Sequence, residues 1–399
     1  LLTHIKNIFS LISVGSKRFL TNKVDRSVTG LIAQQQCVGP LHTPLSNYSI
    51  IAQSHFNLSG SVISIGEQPI KSFISPENMA RLTVGETLTN LIFAKITSFH
   101  DIKCEGNWMW SPKLIGEGSD LYSAVLSLNK ILIQLGIAID GGKDSMSMHS
   151  KLNNKIIKTP QSLVLSAYAP TNNIKSKITP DFKNYNNDIL FIDLAYNNTR
   201  LGGSALAQVY NQIGDRVPDF ENIDNFITIF NIIQNLVESK HILAGHDRSD
   251  GGLITTILEM CFSGNMGCSV NLNNNQDYIN YLFNEEIGLI IETNPENTNN
   301  IINLFNNIVP ITLIGKTTHE NNIKITYNSN IILDSTMTEL RGYWENTSSF
   351  IESQQVSNNK SQEEFNLYNT FYNITYNIPN NLLNQLNLLE SNQSNQSNQ

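Results

Sequence analysis

The sequence predicts a two-domain α+β protein, and three observations support this fold class. The chain has 399 residues, which is more than one typical domain holds. Runs with strand composition alternate with helical segments up to about residue 185, and the alternation resumes beyond it. A polar stretch, 171–187, separates the two parts, and Asn, Gln and Ser dominate from about residue 353.

These changes in composition define the predicted domains. Residues 1–22 are expected to form a connecting segment, 23–185 an N-terminal domain, 186–345 a C-terminal domain, and 346–399 an Asn/Gln/Ser-rich linker or tail. The tail ends in the repeat Ser391–Gln399. Such a segment buries too little apolar surface to offset the entropy lost on ordering.

The elements of the N-terminal domain follow from local pattern, with apolar runs between turn formers for strands and helical spacing of apolar residues for helices. The predicted strands are 48–52, 61–65, 101–104 and 162–168, and the predicted helices are 76–95 and 121–135. A further run, Gly136–Asp140, is expected to enter a loop at Gly141–Ser145.

The C-terminal domain repeats the alternation. The predicted strands are 188–194, 287–291 and 311–315, and the predicted helices are 222–237 and 253–260. Gly202 and Gly203 are expected to form a structural turn, after which a short helix begins.

Composition excludes several classes of protein. A net charge of -8 and a pI near 5.5 argue against a nucleic-acid-binding surface. The four cysteines form no CxxC pair and the histidines form no HExxH motif, so a zinc site is not expected. The longest early apolar run, 8–14, is too short to span a bilayer. We therefore expect a cytoplasmic protein with reduced thiols and no membrane partner.

The stretch 75–95 carries the clearest helix start in the chain. Ser75 can cap the helix, Pro76 fits its first position, and Glu77 favours the positive end of the helix dipole. Glu86 and Asn90 are four residues apart and share one helix face. Two interpretations remain open for this pair: a solvated helix face, or a pair of oxygen ligands for a hard cation such as Mg²⁺.

A second polar motif, 247–252, lies where a predicted strand ends and a helix begins. Its glycines allow close backbone approach, and Asp247 beside free amides suits a magnesium–nucleotide site, although a capped strand–helix turn fits equally. The loop that carries Lys143 lacks the spacing of a P-loop. Two interpretations stay open for Lys143: it meets a phosphate, or it pairs with a carboxylate such as Asp144. No Ser/His/Asp or Cys/His arrangement for nucleophilic catalysis stands out.

Seven motifs, in a common order and spacing, give the chain a family likeness over about residues 16–350. They are Ser16–Gly30 (SKRFLTNKVDRSVTG), Gln36–Leu41 (QCVGPL), Gly85–Asn90 (GETLTN), Gly106–Met109 (GNWM), Gly141–Met148 (GGKDSMSM), Leu201–Gln208 (LGGSALAQ) and His246–Gly252 (HDRSDGG). In these motifs the chain resembles phosphoribosylformylglycinamidine synthase in its large, single-chain form.

The resemblance implies ATP- and glutamine-dependent amidation of formylglycinamide ribonucleotide in de novo purine synthesis. It also implies the fold of one half of the synthetase core, an aminoimidazole-ribonucleotide-synthetase-like half with an N-terminal sheet-rich domain and a C-terminal α/β domain. This chain resembles the second half. The catalytic residues lie in the first half, so none is expected here, and the first half and the glutaminase domain are the implied partners.

The family's functional positions carry over residue by residue. The magnesium ligands fall on Glu86, Asn90 and Asp247, and the nucleotide contacts fall on Ser46 and Ser249. The fourth metal ligand of the family is an aspartate, and Asn47 stands there in this chain, so one negative charge is lost and the affinity for Mg²⁺ should fall. Mg²⁺ and ATP or ADP are the implied cofactors.

Polarity and loop position favour four residues as substrate contacts: Lys23, Asp25, Arg26 and Lys143. Two alternatives to a section of the synthetase stay open. One is a free-standing, non-catalytic magnesium–nucleotide-binding module derived from that enzyme. The other is a kinase-like relative, such as a selenophosphate or thiamine-phosphate enzyme.

Overall fold

A computed structural model describes residues 1–21, 24, 30–356, 360, 362, 363 and 366. Within it, Leu1–Gln362 form one compact unit. The predicted substrate contacts Lys23, Asp25 and Arg26 lie outside the described residues. No helix in the described part is long and apolar enough to cross a membrane.

The first sheet comes from the N-terminal half of the chain. Its strands are β1 (Ile32–Gln34), β2 (Tyr48–Ala52), β3 (Gly60–Glu67), β4 (Lys103–Met109), β5 (Ala138–Ser145) and β8 (Ser162–Thr171). The intervening strands β6 (His149–Leu152) and β7 (Lys155–Lys158) form a separate hairpin. The sheet order is β1-β2-β3-β8-β4-β5, with β4 and β5 parallel and the other pairs antiparallel.

The second sheet is built from the C-terminal half. Its strands are β9 (Asp188–Ile192), β10 (Ile242–Asp247), β11 (Gly267–Leu272), β12 (Leu289–Thr293), β13 (Ile311–Thr318), β14 (Asn322–Tyr327) and β15 (Asn330–Thr336). The order is β10-β12-β9-β13-β11-β14-β15, and β11–β14 is its parallel pair.

The helices pack around these two sheets. They are α1 (Leu2–Phe9), α2 (Arg18–Thr21), α3 (Pro76–Leu91), α4 (Glu117–Leu135), α5 (Ala205–Val209), α6 (Phe226–Glu238), α7 (Gly252–Gly264), α8 (Tyr278–Phe283), α9 (Thr298–Leu304) and α10 (Met337–Ser353), with 3-10 turns at Pro69–Phe73 and Phe99–Asp101. The expected combination of a sheet-rich N-terminal domain and a C-terminal domain of helices on a sheet is confirmed.

Helix α3 begins as its sequence predicts. The Ser75 hydroxyl accepts a bond from the Asn78 amide at 3.2 Å, and Pro76 occupies the first turn. The helix lies closely against β3, because a Cβ on Gly66 would come within 2.6 Å of the Thr83 carbonyl oxygen. Burial extends around most of α3, so it is a central packing helix with little solvated surface.

One hydrophobic core extends across the predicted boundary at residue 185. It joins Val62 and Leu165 of the first sheet to Leu88 of α3, Phe230 of α6 and Leu289 of β12. The boundary itself lies between β8 and β9, in a segment that belongs to neither sheet. The division at 185 therefore stays a prediction, and the two halves of the described chain are packed as one body.

Two predictions at the ends of the chain need correction. The segment 1–22, predicted to be a connection, contains α1, whose residues Ile5, Ile8 and Phe9 are buried in the second core. The tail predicted to begin at residue 346 starts inside α10, where Ser348 and Glu352 are still buried. Amphipathic helices formed here because their apolar faces found partners on the second sheet.

The predicted loop Gly141–Ser145 is also wrong. These residues belong to β5, which pairs in parallel with β4 at the edge of the first sheet. A Cβ on Gly142 would lie 2.4 Å from the Gly106 carbonyl oxygen, so the glycines serve close strand pairing. Glycine enrichment was interpreted as a loop signal, although it marked a backbone approach.

If α1 is an integral part of the fold, truncation of Phe9 should destabilise the protein strongly. Phe9 is 1% exposed and contacts the Phe262 ring, and removal of a buried phenylalanine side chain costs about 3–5 kcal/mol. Urea denaturation of Phe9→Ala should show this loss in the free energy of unfolding. Ile12→Ala, at a side chain that is 57% exposed, is the control and should change it little. Equal stability of the two variants would contradict the packing of α1.

Candidate functional site

The polar motif that follows β10 forms a tight turn into α7. Gly251 and Gly252 have φ of 84° and 76°, in the left-handed region that favours glycine. A Cβ on Gly252 would lie 2.7 Å from the Asn284 carbonyl oxygen. Both glycines are therefore required for the turn to pack against its neighbour.

Arg248 anchors this turn from beneath. It is 4% exposed, and its guanidinium donates to the Glu286 carbonyl oxygen at 2.5 Å, to Ile287 at 3.0 Å and to the Asp193 carboxylate at 3.1 Å. A planar donor with three fixed acceptors restrains the backbone on both sides of it. Its neighbours, Asp247 and Ser249, are thereby held in place.

Ser249 connects the turn to α3. Its hydroxyl donates to Glu86 Oε1 at 2.9 Å, while Oε2 accepts from the Glu67 amide at 2.7 Å and from Gln68 Nε2 at 3.0 Å. One turn further along α3, Asn90 Nδ2 donates to the Ile65 carbonyl oxygen at 3.0 Å. Glu86 is thus fixed between β3 and the turn, and the interpretation as a solvated helix face does not hold for it.

Asp247 has one paired and one unpaired oxygen. Asn47 Nδ2 donates to Oδ1 at 3.0 Å, and His246 Nδ1 lies 3.3 Å from the same oxygen. Oδ2 is buried and has no hydrogen-bond partner. A buried carboxylate oxygen without a donor is costly, so this atom is suited to accept a ligand.

The electrostatics of this cluster reflect its excess of carboxylates. Burial, followed by the nearby charges of Asp247 and Asp250, raises the pKa of Glu86 to about 8. Burial alone would lower the pKa of His246, but the neighbouring carboxylates of Asp247 and Glu259 raise it to about 9. The cluster therefore favours positive charge, supplied by a proton or by a cation.

The donor set fits a hard cation, with one reservation. Carboxylate oxygens of Glu86 and Asp247 and the amide oxygen of Asn90 are the ligand types that Mg²⁺ prefers. Among the described residues no group of three His, Cys, Asp or Glu side chains could hold a metal by itself. Asn47 directs its amide nitrogen toward Asp247 and so donates to one oxygen of this carboxylate instead of presenting an oxygen to a metal. A Mg²⁺ ion here would need further oxygens from a ligand.

A cavity of about 600 Å³ opens beside this cluster. Asn90, Asp247, Ser249 and Asp250 form a polar part of its wall. Apolar side chains form another part, among them Ile32, Leu45, Ile51, Ile63 and Ile65. A mixed wall of this kind suits a ligand with one charged and one apolar end.

The structure brings most of the predicted site residues together. Ser46 and Asn47 line the same cavity, and the Ser46 hydroxyl donates to the Tyr48 carbonyl oxygen at 2.6 Å. Glu86 does not line the cavity itself and reaches its wall through the Ser249 hydroxyl. Lys143 lies outside the site: it is exposed on the edge strand β5, donates to the Asp144 carbonyl oxygen and the Ser145 hydroxyl, and is not part of the cavity wall.

Sequence reasoning missed several residues of this cavity. Lys17 lines it and donates to the carbonyl oxygens of Ser13 and Gly15 at 3.0 and 2.6 Å, and burial lowers its pKa. Glu259 lines it too and meets His246 Nε2 at 3.2 Å. Lys17 stands in one of the quoted motifs, so it could have been named, whereas Glu259 lies within the apolar pattern of α7 with no local signal.

Comparison with protein-family models divides the chain as the two sheets do. Residues 16–170 match the FGAR-AT PurM N-like domain, and residues 194–328 match the C-terminal domain of AIR synthase related proteins. The site described above is made from both matched regions, since Glu86 comes from the first and Asp247 from the second.

Curated relatives agree with these matches. The chain is 45% identical over 381 residues to phosphoribosylformylglycinamidine synthase of Dictyostelium discoideum, a match that covers 88% of this chain and 28% of that protein. It is 41% identical over 351 residues to the Homo sapiens protein of the same name, covering 86% and 26%. The chain thus spans just over a quarter of the length of these relatives.

Solved structures share the fold at low sequence identity. Thermotoga maritima PurL complexed with FGAR has a TM-score of 0.62 at 14% identity, over 84% of this chain and 52% of that chain. Hydrogenase maturation protein HypE in complex with ATP has a TM-score of 0.51 at 14% identity, over 69% and 84%. Taken with the relatives and the two domain matches, these results show that the chain belongs to the phosphoribosylformylglycinamidine synthase family.

Proposed function

We propose that this chain is the second-half, magnesium–nucleotide-binding section of phosphoribosylformylglycinamidine synthase. It serves the ATP- and glutamine-dependent amidation of formylglycinamide ribonucleotide, a C–N bond-forming ligase reaction, as part of the longer enzyme. One observation carries the proposal: the unpaired Asp247 Oδ2 and the Ser249–Glu86 contact meet at the polar wall of the cavity.

A nucleotide suits this cavity for physical reasons. The isoleucine side chains of the wall can contact a base, while Lys17 and the hydroxyls of Ser46 and Ser249 can meet phosphate oxygens. Structures of Thermotoga maritima PurL are named as complexes with ATP and with ADP, which supports nucleotide binding in this fold.

Glu86, Asp247 and Asn90 would hold Mg²⁺ beside those phosphates. The ion would supply positive charge that neutralises both the phosphates and the two carboxylates. The residues of the chain bind and orient the nucleotide. The role of the nucleotide is structural, because it holds helix α3 of the N-terminal half against the turn 247–252 of the C-terminal half. The proposal assigns no catalytic residue to this chain and locates it in the cytoplasm.

The alternative is a non-catalytic nucleotide-binding module that acts apart from the synthetase. Mixing experiments separate the two. When the purified chain is added to the first half of the synthetase core and the glutaminase domain, it should restore amidation. Alone, with glutamine or ammonia, it should give none. Binding of Mg²⁺–ADP without any restoration would favour the module, and turnover by the chain alone would contradict the proposed location of the chemistry.

The binding claim can be tested by calorimetry with Mg²⁺–ADP. Glu86→Gln keeps the size of the side chain and one of its two acceptor oxygens but removes one ligand charge, so the affinity should fall about tenfold or more, equal to about 1.4 kcal/mol. Glu105→Gln, at an exposed carboxylate of β4, is the matched control and should bind normally. No binding by the unaltered chain, or equal affinities in both variants, would refute the site.

The same substitution should stabilise the metal-free protein at alkaline pH. The pKa of Glu86 is about 8 in the folded protein, above its ordinary value of 4.5. The folded state therefore holds this proton more tightly than the unfolded chain, and the resulting stability is lost as the pH rises through 8. Glu86→Gln has no proton to lose. Without metal or nucleotide, the Tm of Glu86→Gln should equal that of the wild type at pH 4.5. At pH 9 it should exceed the wild-type Tm by about 2 °C or more. An identical difference at both pH values would contradict this.

Asn47→Asp should strengthen Mg²⁺–ADP binding. It restores the carboxylate that the family has at this position, and additional ligand charge raises affinity for divalent cations. The new charge would face Asp247, so the metal-free protein should lose stability at pH 7, as measured by its Tm. Asn47→Ala is the control, since it removes the amide without adding charge. Weaker binding by Asn47→Asp than by Asn47→Ala would exclude position 47 from the metal site.

A further inference from the structure

Lys71 is a fully buried cation that the proposed site does not include. It lies on the 3-10 turn Pro69–Phe73, between β3 and α3, and is 2% exposed. Its ammonium donates to Glu285 Oε2 at 2.5 Å and to Asp250 Oδ1 at 3.3 Å. Burial alone would lower its pKa, but the charges of Glu285 and Asp250 raise it, so Lys71 stays charged.

Glu285 uses its other oxygen to hold two backbone amides. Its Oε1 accepts from the Gly251 amide at 2.7 Å and from the Ala205 amide at 2.7 Å. The first belongs to the turn that carries Ser249, and the second is the first amide of α5. A single buried carboxylate therefore fixes two turns of the C-terminal half at the points where helices begin.

These bonds depend on the orientation and the charge of Glu285. Burial opposes that charge by raising the pKa of Glu285, and the charge of Lys71 supports it. An ion pair that is buried at both ends is expensive to desolvate, and removal of one partner leaves an uncompensated charge. Without Lys71, Glu285 would have to take up a proton or turn toward water, and either change weakens its acceptance of both amides. The cation on the N-terminal half thus controls the backbone of the turn on the C-terminal half.

We infer that Lys71 is a positioning residue for the nucleotide site. Through Glu285 it holds the turn Asp247–Gly252, so that Ser249 stays on Glu86 and Asp250 stays at the cavity wall. Lys71 itself does not line the cavity, so it acts through the turn and not on the ligand. The inference rests on the proposed function for its consequence in binding, while the effect on the turn can be measured without any ligand.

A merely structural role is the competing account, because Lys71 also joins the two halves of the described chain. Arg81 offers the comparison. It joins the same halves by a two-pronged pair with Asp219, at 2.7 and 2.6 Å, and this pair lies outside the turn 248–252. Loss of either pair should lower stability, but only loss of the Lys71 pair should loosen that turn.

Hydrogen exchange of the ligand-free protein tests the positioning directly. In Lys71→Met, the amides of Gly251 and Ala205 should exchange at least about tenfold faster than in wild type, the change expected when a hydrogen bond worth about 1.4 kcal/mol is lost. In Arg81→Met they should exchange at the wild-type rate. Unchanged exchange in Lys71→Met, or equal acceleration in Arg81→Met, would overturn the inference.

If Lys71→Met does not fold, two double variants that remove the charges at both position 71 and position 285 keep the test decisive. Lys71→Met with Glu285→Gln, the acceptor-retaining variant, removes both charges but keeps a carbonyl oxygen that can accept the two amides. Lys71→Met with Glu285→Leu, the acceptor-free variant, removes that oxygen as well, at similar volume. Slow exchange in the first and fast exchange in the second are expected, and equal exchange in the two would overturn the role of Glu285.

Measuring the affinity for Mg²⁺–ADP then tests whether the order of the turn affects binding at the site. The affinity should be about tenfold lower in the acceptor-free variant than in the acceptor-retaining variant, a ratio that the shared loss of the ion pair cannot produce. If exchange behaves as expected but the wild-type chain binds no Mg²⁺–ADP, the proposed function fails and the positioning stands. If wild type binds and both double variants bind equally, the positioning role in binding is refuted.

Discussion

Two carboxylates, the half-buried Glu86 and the buried Asp247, lie near enough for their charges to interact at the junction of the two halves of the chain, and this charge constraint shapes the candidate site. They come from different halves, and the Ser249–Glu86 bond joins those halves at this point. Burial, followed by the nearby charge of Asp247, raises the pKa of Glu86, and Asp247 Oδ2 is left without a donor, so the arrangement costs free energy in the absence of a ligand. A fold that retains such a cost at the wall of a cavity is suited to bind a cation there.

Other buried carboxylates show what a purely structural solution looks like. Glu292 is fully buried and accepts from the amides of Lys183 and Asn184 and from Asn187 Nδ2, at 2.7, 3.0 and 2.6 Å. Glu285 has a cation and two amides. Each of these groups is satisfied within the chain, whereas Asp247 is not. Asp247 also lines the cavity, so its unpaired oxygen stands where a ligand can reach it.

Local sequence patterns predicted the types of most elements correctly. The cap at Ser75 and the start of α3 were readable, because capping depends on neighbouring residues alone. The strand β5 was not, since glycines that permit close strand pairing look the same in sequence as glycines that form a loop. Helix α1 was missed for a related reason: its amphipathic face is meaningful only once Phe262 and Trp344 lie opposite it.

The site divides in the same way. Glu86, Asn90, Asp247 and Ser249 could be proposed from their spacing and from the resemblance to a family, because helical periodicity and a glycine-rich turn are local features. Sequence alone specified which oxygen-bearing side chains the chain offers, and the resemblance to the family implies that Asn47 stands in place of a carboxylate. Three-dimensional packing decided that Asn47 donates to Asp247 and that Lys143 does not line the cavity. It also decided that Lys71 pairs with Glu285, 214 residues further along the chain. Contacts of this kind join residues far apart in the sequence, and they depend on how the two sheets and the helices pack. Short-range sequence patterns do not encode that packing.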